Sequence, residues 1–257
     1  MRIDGKVVLI TGASEGIGRA CAAAFRKRGA RLSLMARSGE KLRAAGGEDA
    51  VVTAGDVTLP EIRESAVAAT LDRFGAIDIL INNAGMGLYA PAWNAPLPDA
   101  RSLFELNFFA PLALTQLVVP QMRARRSGVI VNVSSVGGKV TLPWLTLYCA
   151  SKYALGSLTD GLRMELKKDG IHTMAVCPCY VKTKFQDHAL GGEPPPQIVR
   201  SQQFTVTPEQ CAEAIARGVE RGARTVMAPR SGWMFVLAER LVPSLVDARL
   251  AAMLYDV

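Results

Sequence analysis

The sequence predicts an α/β fold in which a doubly wound sheet of about seven parallel strands lies between two layers of helices. Short apolar runs alternate with helical patterns along the chain. Several of these runs are apolar on successive residues, as is typical of parallel strands covered on both faces. A Gly-rich turn joins the first run to the first helix. Right-handed crossovers between such strands give a three-layer, Rossmann-type sheet.

The elements follow one another without a linker or an internal repeat. The predicted strands are 6–10, 31–36, 50–55, 78–82, 128–133, 171–177 and 225–228. The predicted helices are 17–27, 39–45, 61–74, 99–126, 151–168 and 208–221. Two segments depart from the alternation. The first, 184–207, is rich in Gly and Pro, which predicts a long substrate loop. The second, 231–257, predicts a C-terminal extension of two short amphipathic helices broken at Pro243.

Length and composition agree with a single domain over residues 1–257. Of these residues 49% are hydrophobic and 21% charged, which suffices for a substantial core. Five cysteines are an odd number, and the N-terminus shows no signal-peptide pattern. No uninterrupted apolar run reaches the roughly 18 residues of a membrane span. We therefore expect a cytoplasmic protein rather than a secreted disulfide scaffold.

A net charge of +7 raises the question of a nucleic-acid partner. The two densest basic clusters are 26–28, followed by Gly29, and 123–126, followed by Ser127 and Gly128. Both predict helix C-termini, where cations oppose the helix dipole and glycine supplies a left-handed cap. The alternative is a phosphate-facing surface. We expect no nucleic-acid partner.

A glycine-rich turn after the first predicted strand indicates a cofactor site. Residues 11–18 are Thr-Gly-Ala-Ser-Glu-Gly-Ile-Gly. Glycines let backbone amides approach a pyrophosphate, and a helix N-terminus stabilises the anion. The spacing differs from G-x-G-x-x-G, but its place between a strand and a helix predicts a dinucleotide. The expected contacts are Gly12, Ser14, Glu15, Gly16, Ile17 and Gly18.

The residues after the second strand favour NADP(H) over NAD(H). A carboxylate there would bind the 2′-hydroxyl of NAD, but this chain has Ala36, Arg37 and Ser38. A guanidinium can hold the 2′-phosphate of NADP; a solvated loop cation is the alternative for Arg37. Asp56 and Val57, after the third strand, are candidates for the adenine end, although Asp56 could instead cap a helix.

Tyr148 and Lys152 form the predicted catalytic pair. They lie four residues apart, on one face of a helix. A nearby ammonium favours the phenolate, so we expect Lys152 to lower the pKa of Tyr148 from its usual value of about 10. Such a pair suits carbonyl and alcohol chemistry, although this spacing also occurs in surface pairs. Ser135 follows the strand 128–133, at the sheet edge where ligands bind.

Together these residues resemble the classical short-chain dehydrogenase/reductase family. The resemblance runs from about residue 4 to 183 and includes the turn 11–18, Asn82-Asn83-Ala84-Gly85, Asn107, Ser135 and Tyr148-x-x-x-Lys152, in the family's order. It implies an oxidoreductase that transfers hydride between a nicotinamide cofactor and a carbonyl or alcohol carbon.

The resemblance also implies a role for each catalytic residue. Tyr148 would be the general acid in reduction and the base in oxidation, and Ser135 would hydrogen-bond to the substrate oxygen. Lys152 would bind the nicotinamide ribose and tune Tyr148, while Asn107 would position a water that relays protons from Lys152. The further cofactor contacts it implies are Asn83, Ala84, Gly85, Pro178, Val181 and Thr183.

One segment departs from the family pattern. The family has Pro-Gly where this chain has Pro178 and Cys179, so Cys179 replaces a residue that can adopt glycine-only dihedral angles. We expect a small buried thiol there rather than a redox nucleophile. Cys177 and Cys179 lack the partner pair of a zinc site, and the two histidines form no metal motif. No metal is predicted.

The predicted substrate pocket is apolar. The resemblance implies that its candidate contacts are Ser135, Tyr148, Met86, Leu142 and Tyr180. The resemblance adds further wall residues, namely Leu88, Tyr89, Val136, Gly137, Trp144 and the loop 184–207. Such a wall favours a hydrophobic ketone or secondary alcohol, although several of these residues could instead pack in the core or against a partner.

Three functional hypotheses remain open. The first is an NADP(H)-dependent oxidoreductase of an apolar carbonyl or alcohol. The second is a 3-oxoacyl thioester reductase, which a basic patch beside the pocket would favour. The third is a non-catalytic dinucleotide sensor, which the complete set of catalytic residues argues against.

The resemblance further implies a homodimer or homotetramer. The helices 99–126 and 151–168 would then form the interface, and the residues expected to face the partner are Leu106, Phe108, Phe109, Leu112 and Leu158. The extension 231–257 could cover the pocket, complete an interface or rest on a membrane. Membrane contact is the least expected of these because the extension has few cations.

Overall fold

A seven-stranded parallel sheet forms the centre of the computed structural model, which describes residues 1–192 and 205–255. The strand order is β3-β2-β1-β4-β6-β7-β9. Its strands are β1 Val7–Thr11, β2 Arg31–Ala36, β3 Val51–Ala54, β4 Ile79–Asn82, β6 Gly128–Val133, β7 Ile171–Pro178 and β9 Thr225–Ala228. Every pairing is parallel. The predicted doubly wound sheet is therefore confirmed.

Helices cover both faces of this sheet. They are α1 Gly16–Arg26, α2 Gly39–Gly46, α3 Pro60–Phe74, α4 Leu97–Phe104, α5 Ala110–Ala124, α6 Thr146–Glu165, α7 Pro208–Arg221, α8 Gly232–Leu241 and α9 Pro243–Tyr255. The break between α8 and α9 lies at Pro243, as predicted. Residues 256–257 of the predicted extension lie outside the described residues.

The strands alternate between two core layers. Strand register places Leu9, Leu80 and Ile130 in one row, and these side chains pack with residues of α3 and α5. The adjacent row, Ile10, Ile81 and Val131, packs with residues of α1 and α7 on the opposite face. Because both rows are fully buried, the strands carry continuous apolar runs instead of an alternating pattern.

Two predicted helices differ from the structure in ways that affect the site. The helix expected over 99–126 is interrupted by a π-helical turn, Glu105–Phe109, between α4 and α5. Such turns are rare and often occur at functional sites, and this one contains Asn107. The helix expected from residue 151 begins at Thr146, so Tyr148 lies in its first turn.

The first basic cluster ends a helix, as predicted. Helix α1 ends at Arg26, and Gly29 adopts the left-handed conformation with φ of 79°. The Arg28 guanidinium lies 2.7 Å from a carboxylate oxygen of Glu213 and 3.2 Å from one of Glu220. These contacts give the cluster a structural role between α1 and α7.

The second cluster also ends a helix, but the predicted glycine cap is wrong. The left-handed residue after α5 is Arg126, with φ of 49°, and Gly128 is the first residue of β6. Gly128 is required for packing, since a Cβ there would lie 2.3 Å from Met122 Sδ. Arg125 donates to Asp78 Oδ1 at 2.9 Å, which ties this helix end to β4.

The predicted loop 184–207 contains regular structure in its described part. Strand β8, Leu190–Gly191, pairs with β5, Leu88–Tyr89, in a separate two-stranded sheet. A short 3₁₀ turn, Gln186–His188, precedes it. Strands of two residues carry no periodic signal, which is why neither was predicted. Residues 193–204 of this loop lie outside the described residues.

Among the described residues, one helical stretch, Leu97–Ala124, is long and apolar enough to cross a membrane by length and composition. It was not expected from the search for uninterrupted apolar runs. Leu103, Leu114 and Val118 on this stretch are fully buried in the fold. The core helix of a soluble protein meets the same criteria of length and composition.

Candidate active site

A cavity of about 1250 Å³ opens at the carboxyl ends of the central strands. Its walls include the segments that follow β1, β4, β6 and β7. The chain runs outward from β1 through β2 to β3 and then returns to β4 on the other side. Ligands of doubly wound sheets bind at this switch in strand order.

Most of the predicted site residues line this cavity. Those that do are Gly12, Ser14, Glu15, Gly16, Ile17, Arg37, Asp56, Val57, Asn83, Ala84, Gly85, Met86, Ser135, Leu142, Tyr148, Lys152, Pro178, Tyr180, Val181 and Thr183. Gly18 and Asn107 are not in its wall. Gly18 lies behind the turn, where a Cβ would lie 2.2 Å from the Gly12 carbonyl oxygen. Gly18 therefore allows close packing of α1 on the turn, and its contact with the cofactor stays a prediction.

The turn after β1 is held by the segment after β4. Gly12 has φ of 65°, and a Cβ there would lie 2.9 Å from Ala84 Cα. The Asn83 side chain donates to the carbonyl oxygens of Thr11 and Gly12 at 2.9 and 3.3 Å. Asn83 thus braces β1 and its turn, and the two segments form one floor of the cavity.

The N-terminus of α1 fits an anionic ligand. Glu15 is the N-cap residue, and its side chain makes no capping hydrogen bond. The next two residues, Gly16 and Ile17, line the cavity. A helix begins with backbone N–H groups that lack partners within the helix, and these favour a phosphate. The residues present therefore fit the pyrophosphate of a dinucleotide.

Polar groups after β2 and β3 line the same groove. Arg37 is exposed and has no hydrogen bond or ion pair within residues 1–192 and 205–255. Ser38 caps α2 by accepting from the Lys41 backbone amide at 3.4 Å. Asp56 accepts from the backbone amide and hydroxyl of Thr58 at 2.9 and 2.8 Å. Asp56 does not cap α3, whose N-cap residue is Leu59; it closes a turn and lines the groove, and its contact with the adenine end stays a prediction.

Ser135, Tyr148 and Lys152 meet where β6 and α6 approach each other. The side chains of Ser135 and Tyr148 both lie beside Gly137, where a Cβ would lie 3.4 Å from Ser135 Oγ and 3.5 Å from Tyr148 Cε1, and Ser135 Oγ accepts from the Gly137 amide at 3.0 Å. Lys152 Nζ lies 5.8 Å from the centre of the Tyr148 ring and donates to the Val133 carbonyl at 3.0 Å. The structure therefore brings the three predicted catalytic side chains together.

The predicted lowering of the Tyr148 pKa is wrong for the chain by itself. Burial raises the pKa of Tyr148 above its usual value, and this outweighs the opposite effect of the Ser135 hydroxyl. Burial also lowers the pKa of Lys152 to about 8. Desolvation disfavours the charged form of each group. Tyr148 is thus a neutral proton donor at neutral pH, whereas Lys152 is close to its titration range.

A chain of buried amides and hydroxyls positions this catalytic helix. Asn82 on β4 donates to Asn132 on β6 at 2.8 Å, and Asn132 donates to the Thr159 hydroxyl of α6 at 2.9 Å. Thr173 on β7 donates to the Thr159 carbonyl at 2.9 Å. Buried polar groups need partners to offset their desolvation. We did not predict this network, although Asn132 in an otherwise apolar strand is a visible signal.

Asn107 lies behind the cavity wall and hydrogen-bonds to the segment that follows β4. Its Nδ2 donates to the Met86 carbonyl at 2.9 Å and to the Ser151 hydroxyl at 3.1 Å, and its Oδ1 accepts from the Met86 amide at 3.0 Å. Both Nδ2 hydrogens are therefore engaged. A relay water would have to contact the Oδ1 atom or a backbone carbonyl of this turn.

Cys179 adopts an ordinary backbone conformation. Among the described residues, the non-glycine residues with positive φ are Arg126 and Trp144. The Cys179 amide donates to the Ala228 carbonyl at 2.8 Å, and its sulfur packs so closely on Gly232 that a Cβ there would lie 2.5 Å away. Burial raises the pKa of Cys179 to about 11, so the thiol is neutral. It is only partly buried, contrary to the prediction of a buried thiol, and it lines the cavity. No metal-binding group of three His, Cys, Asp or Glu side chains occurs among the described residues.

The apolar side of the cavity differs in part from the prediction. Leu88, Gly137 and Trp144 do not line it, whereas Tyr89 and Val136 do. Phe185 packs edge-on against Tyr148 with ring centres 5.8 Å apart. The C-terminal helices supply the wall residues that sequence reasoning left unassigned: Phe235, Ala238, Val242, Leu245, Val246, Arg249 and Leu250. Their helical spacing was visible, but which neighbour they faced was not.

The residues expected at a subunit interface separate into two groups. Leu106 lines the cavity, so its placement on a partner surface is wrong. Leu112 and Leu158 line a shallow groove between α5 and α6, and Phe109 is 49% exposed.

Residues 6–192 match the family model described as short chain dehydrogenase. The chain belongs to the short-chain dehydrogenase family. A curated relative, dehydrogenase/reductase SDR family member 7B of Danio rerio, is 37% identical over 203 residues, which cover 74% of this chain and 66% of that protein. This short-chain dehydrogenase is accordingly an NAD(P)-dependent oxidoreductase acting on CH–OH or C=O groups.

Solved structures of the family share the whole fold. A short chain dehydrogenase/reductase from Burkholderia phymatum in complex with NAD is 25% identical, with a TM-score of 0.85 over 95% of this chain and 96% of that one. A short chain dehydrogenase from Burkholderia cenocepacia in complex with NADP is 26% identical, with a TM-score of 0.82 over 97% and 99%. Both nicotinamide dinucleotides therefore occur among structures similar to this short-chain dehydrogenase.

Proposed function

We propose that this protein is an NADP(H)-dependent oxidoreductase that interconverts a carbonyl and a secondary alcohol on an apolar small molecule. The observation that carries the proposal is that Ser135, Tyr148 and Lys152 lie together in one cavity with the glycine-rich turn and with an apolar wall. The cavity thus combines an anion-binding end, a proton donor and an apolar chamber.

The cofactor would be held along the groove from Arg37 to Lys152. The turn 12–17 and the N-terminus of α1 would hold the pyrophosphate, and Arg37 with Ser38 would hold the 2′-phosphate. Asp56 and Val57 would lie at the adenine. Pro178, Val181 and Thr183 would contact the nicotinamide end, while Asn83, Ala84 and Gly85 line the floor. When bound, the nicotinamide supplies or accepts the hydride.

Tyr148 and Ser135 act on the substrate oxygen. In reduction, the Ser135 hydroxyl and the Tyr148 phenol donate hydrogen bonds to the carbonyl oxygen, which stabilises the negative charge that develops there. Tyr148 then transfers its proton to that oxygen. The raised pKa of Tyr148 keeps the phenol protonated at neutral pH, as reduction requires. In oxidation the same phenolate accepts the proton.

Lys152 and Asn107 restore the proton on Tyr148. Lys152 stabilises the phenolate left after proton transfer, because an ammonium near a phenolate lowers its energy. The Asn107 turn and Lys152 both lie against Gly85, where a Cβ would be 3.0 Å from Asn107 Oδ1 and 3.3 Å from Lys152 Nζ. A water at this point would link Lys152 to the backbone of the π-helical turn.

The substrate would extend from Tyr148 along Met86, Leu142, Tyr180 and the C-terminal helices. Most of these side chains are apolar, which favours a hydrophobic ketone or alcohol. Arg101, Lys184 and Arg249 also line the cavity. These three cations favour, as a second candidate, a substrate with an anionic end such as a 3-oxoacyl thioester.

We further propose a cytoplasmic homo-oligomer. Phe109, Leu112 and Leu158 supply exposed or half-buried apolar surface on and beside α5 and α6, which suits a symmetric helical interface.

Oxidation of NADPH followed over a panel of apolar ketones, aldehydes and acyl thioesters tests the function. Turnover with at least one apolar ketone, and faster with NADPH than with NADH, is expected. Turnover restricted to acyl thioesters would favour the second candidate. Tight NADPH binding without any turnover would favour a dinucleotide sensor instead.

A further inference from the structure

A carboxylate lies in the part of the cofactor groove that we assign to the phosphates. Glu15 belongs to the turn whose amides receive the phosphates, and it lines the cavity beside Gly16. Phosphate and carboxylate repel each other at short distance. In the structure two basic side chains surround it: Lys41 Nζ contacts Glu15 Oε1, and His188 Nε2 lies 3.5 Å from Oε2. The Lys41 hydrogen bond lowers the pKa of Glu15, so the carboxylate is ionised at neutral pH.

Lys41 lies beside the residues that we assign to the 2′-phosphate. It stands in the first turn of α2, where its backbone amide donates to the side chain of Ser38. Arg37, Ser38 and Lys41 all line the same groove. The Lys41 side chain is 54% exposed, so its ammonium can leave Glu15 without breaking buried contacts.

We propose that Lys41 is a second cation for the 2′-phosphate and that Glu15 competes with the phosphate for it. The inference rests on the proposed preference for NADP(H). A bound 2′-phosphate takes the Lys41 ammonium from Glu15, and Glu15 keeps His188 as its neighbour. A 2′-hydroxyl carries no charge and leaves Lys41 on Glu15. The ion pair therefore sets how strongly the protein prefers the phosphorylated cofactor.

Equilibrium titration with NADPH and with NADH, followed by cofactor fluorescence, tests this exchange. The variants are Lys41→Gln, Glu15→Gln, the double variant and Lys41→Arg. Arg43→Gln is the matched control, because Arg43 is an exposed cation of the same helix that does not line the cavity. Thermal unfolding of each variant, recorded without cofactor, checks that the fold is retained.

The expected result is a selective loss of NADPH affinity. Lys41→Gln should weaken NADPH binding about tenfold, as expected for one charge-assisted hydrogen bond, and should leave NADH binding and the unfolding temperature nearly unchanged. Lys41→Arg and Arg43→Gln should bind NADPH nearly as the natural protein does. Glu15→Gln should tighten NADPH binding, whereas the double variant should bind NADPH about as weakly as Lys41→Gln does.

Three results would overturn the inference. The first is equal weakening of NADPH and NADH binding by Lys41→Gln. The second is a return to natural NADPH affinity in the double variant, which would mean that Lys41 only neutralises Glu15. The third is an equal loss in Arg43→Gln, which would indicate a general effect of charge.

The inference and the proposed function can fail separately. If the natural protein prefers NADPH and Arg37→Asp removes this preference while Lys41→Gln does not, Lys41 is excluded and the NADP(H) preference stands. If the natural protein binds NADH as tightly as NADPH, the proposed preference for NADP(H) is wrong, and the inference about Lys41 is then wrong as well.

Discussion

The two ends of the cavity are built from different kinds of contact. Around Gly12 and Arg37, the walls are short turns fixed by backbone geometry, hydrogen bonds and the ion pair of Glu15 with Lys41. At the other end, α8 and α9 present Val242, Leu245 and other apolar side chains, several of them largely exposed. A phosphate requires charges at defined positions, whereas an apolar substrate requires area and volume. We therefore expect the first end to determine the choice of cofactor and the second end to accept a range of substrate shapes.

Tyr148 lies where these two ends meet, and its replacement should have the largest effect. Tyr148→Phe removes the proton donor and should reduce kcat by about 10² to 10⁴. The Kd for NADPH should change little, because the ring remains. Steady-state turnover and cofactor titration measure the two quantities. Tyr153→Phe is the control, since Tyr153 is 43% exposed on the same helix and does not line the cavity. Retained turnover in Tyr148→Phe would refute the assigned mechanism.

At the cofactor end, a change of charge alone should alter the affinity for NADPH. Arg37→Asp should weaken NADPH binding by about 10- to 100-fold, because a charge-assisted contact is replaced by repulsion. NADH binding should be kept or improved. The ratio of the two dissociation constants measures the effect, with Arg43→Asp as the control on α2. An unchanged ratio would mean that Arg37 does not contact the 2′-phosphate.

The activity of the protein should also depend on pH through Lys152, which lies with Tyr148 where the two ends of the cavity meet. Lys152 has a pKa lowered to about 8, so it is charged below that pH and neutral above it. If its charge supports proton return to Tyr148, kcat/KM for reduction should be constant below about pH 8. Above that pH it should fall about tenfold per pH unit.

The variant Lys152→Arg gives the contrast for this profile. Arginine stays charged in proteins, so any residual activity should lose the fall near pH 8. A fall that persists in Lys152→Arg would assign the titration to another group.

The substrate end should show the smallest effect, confined to large substrates. Leu245→Ser removes apolar wall area from a side chain that is already 69% exposed. The expected rise in KM for a long apolar ketone is about threefold, with the Kd for NADPH unchanged. Leu241→Ser is the matched control, because Leu241 is 70% exposed but does not line the cavity. Equal effects of the two substitutions would mean that α9 does not contact substrate.

The two ends of the cavity also differ in how many of their residues could be predicted from the sequence. The turn 11–18, Arg37 and Tyr148 with Lys152 were found because short motifs fix their local geometry, and the structure places Arg37, Tyr148, Lys152 and most of this turn on one cavity. The wall formed by α8 and α9 was not assigned, because an amphipathic pattern predicts a helix with an apolar face but does not name the surface that this face covers.

The sequence by itself determined the succession of the seven central strands and most of their flanking helices along the chain, the turn that fits a dinucleotide and the four-residue spacing of Tyr148 and Lys152. These features depend on neighbours along the chain, where backbone geometry sets distance. Only the tertiary structure decided the raised pKa of Tyr148, the buried network through Asn132, the packing role of Gly18 and the pairing of Glu15 with Lys41 and His188. Each of these depends on groups far apart in sequence, and burial and charge act through space.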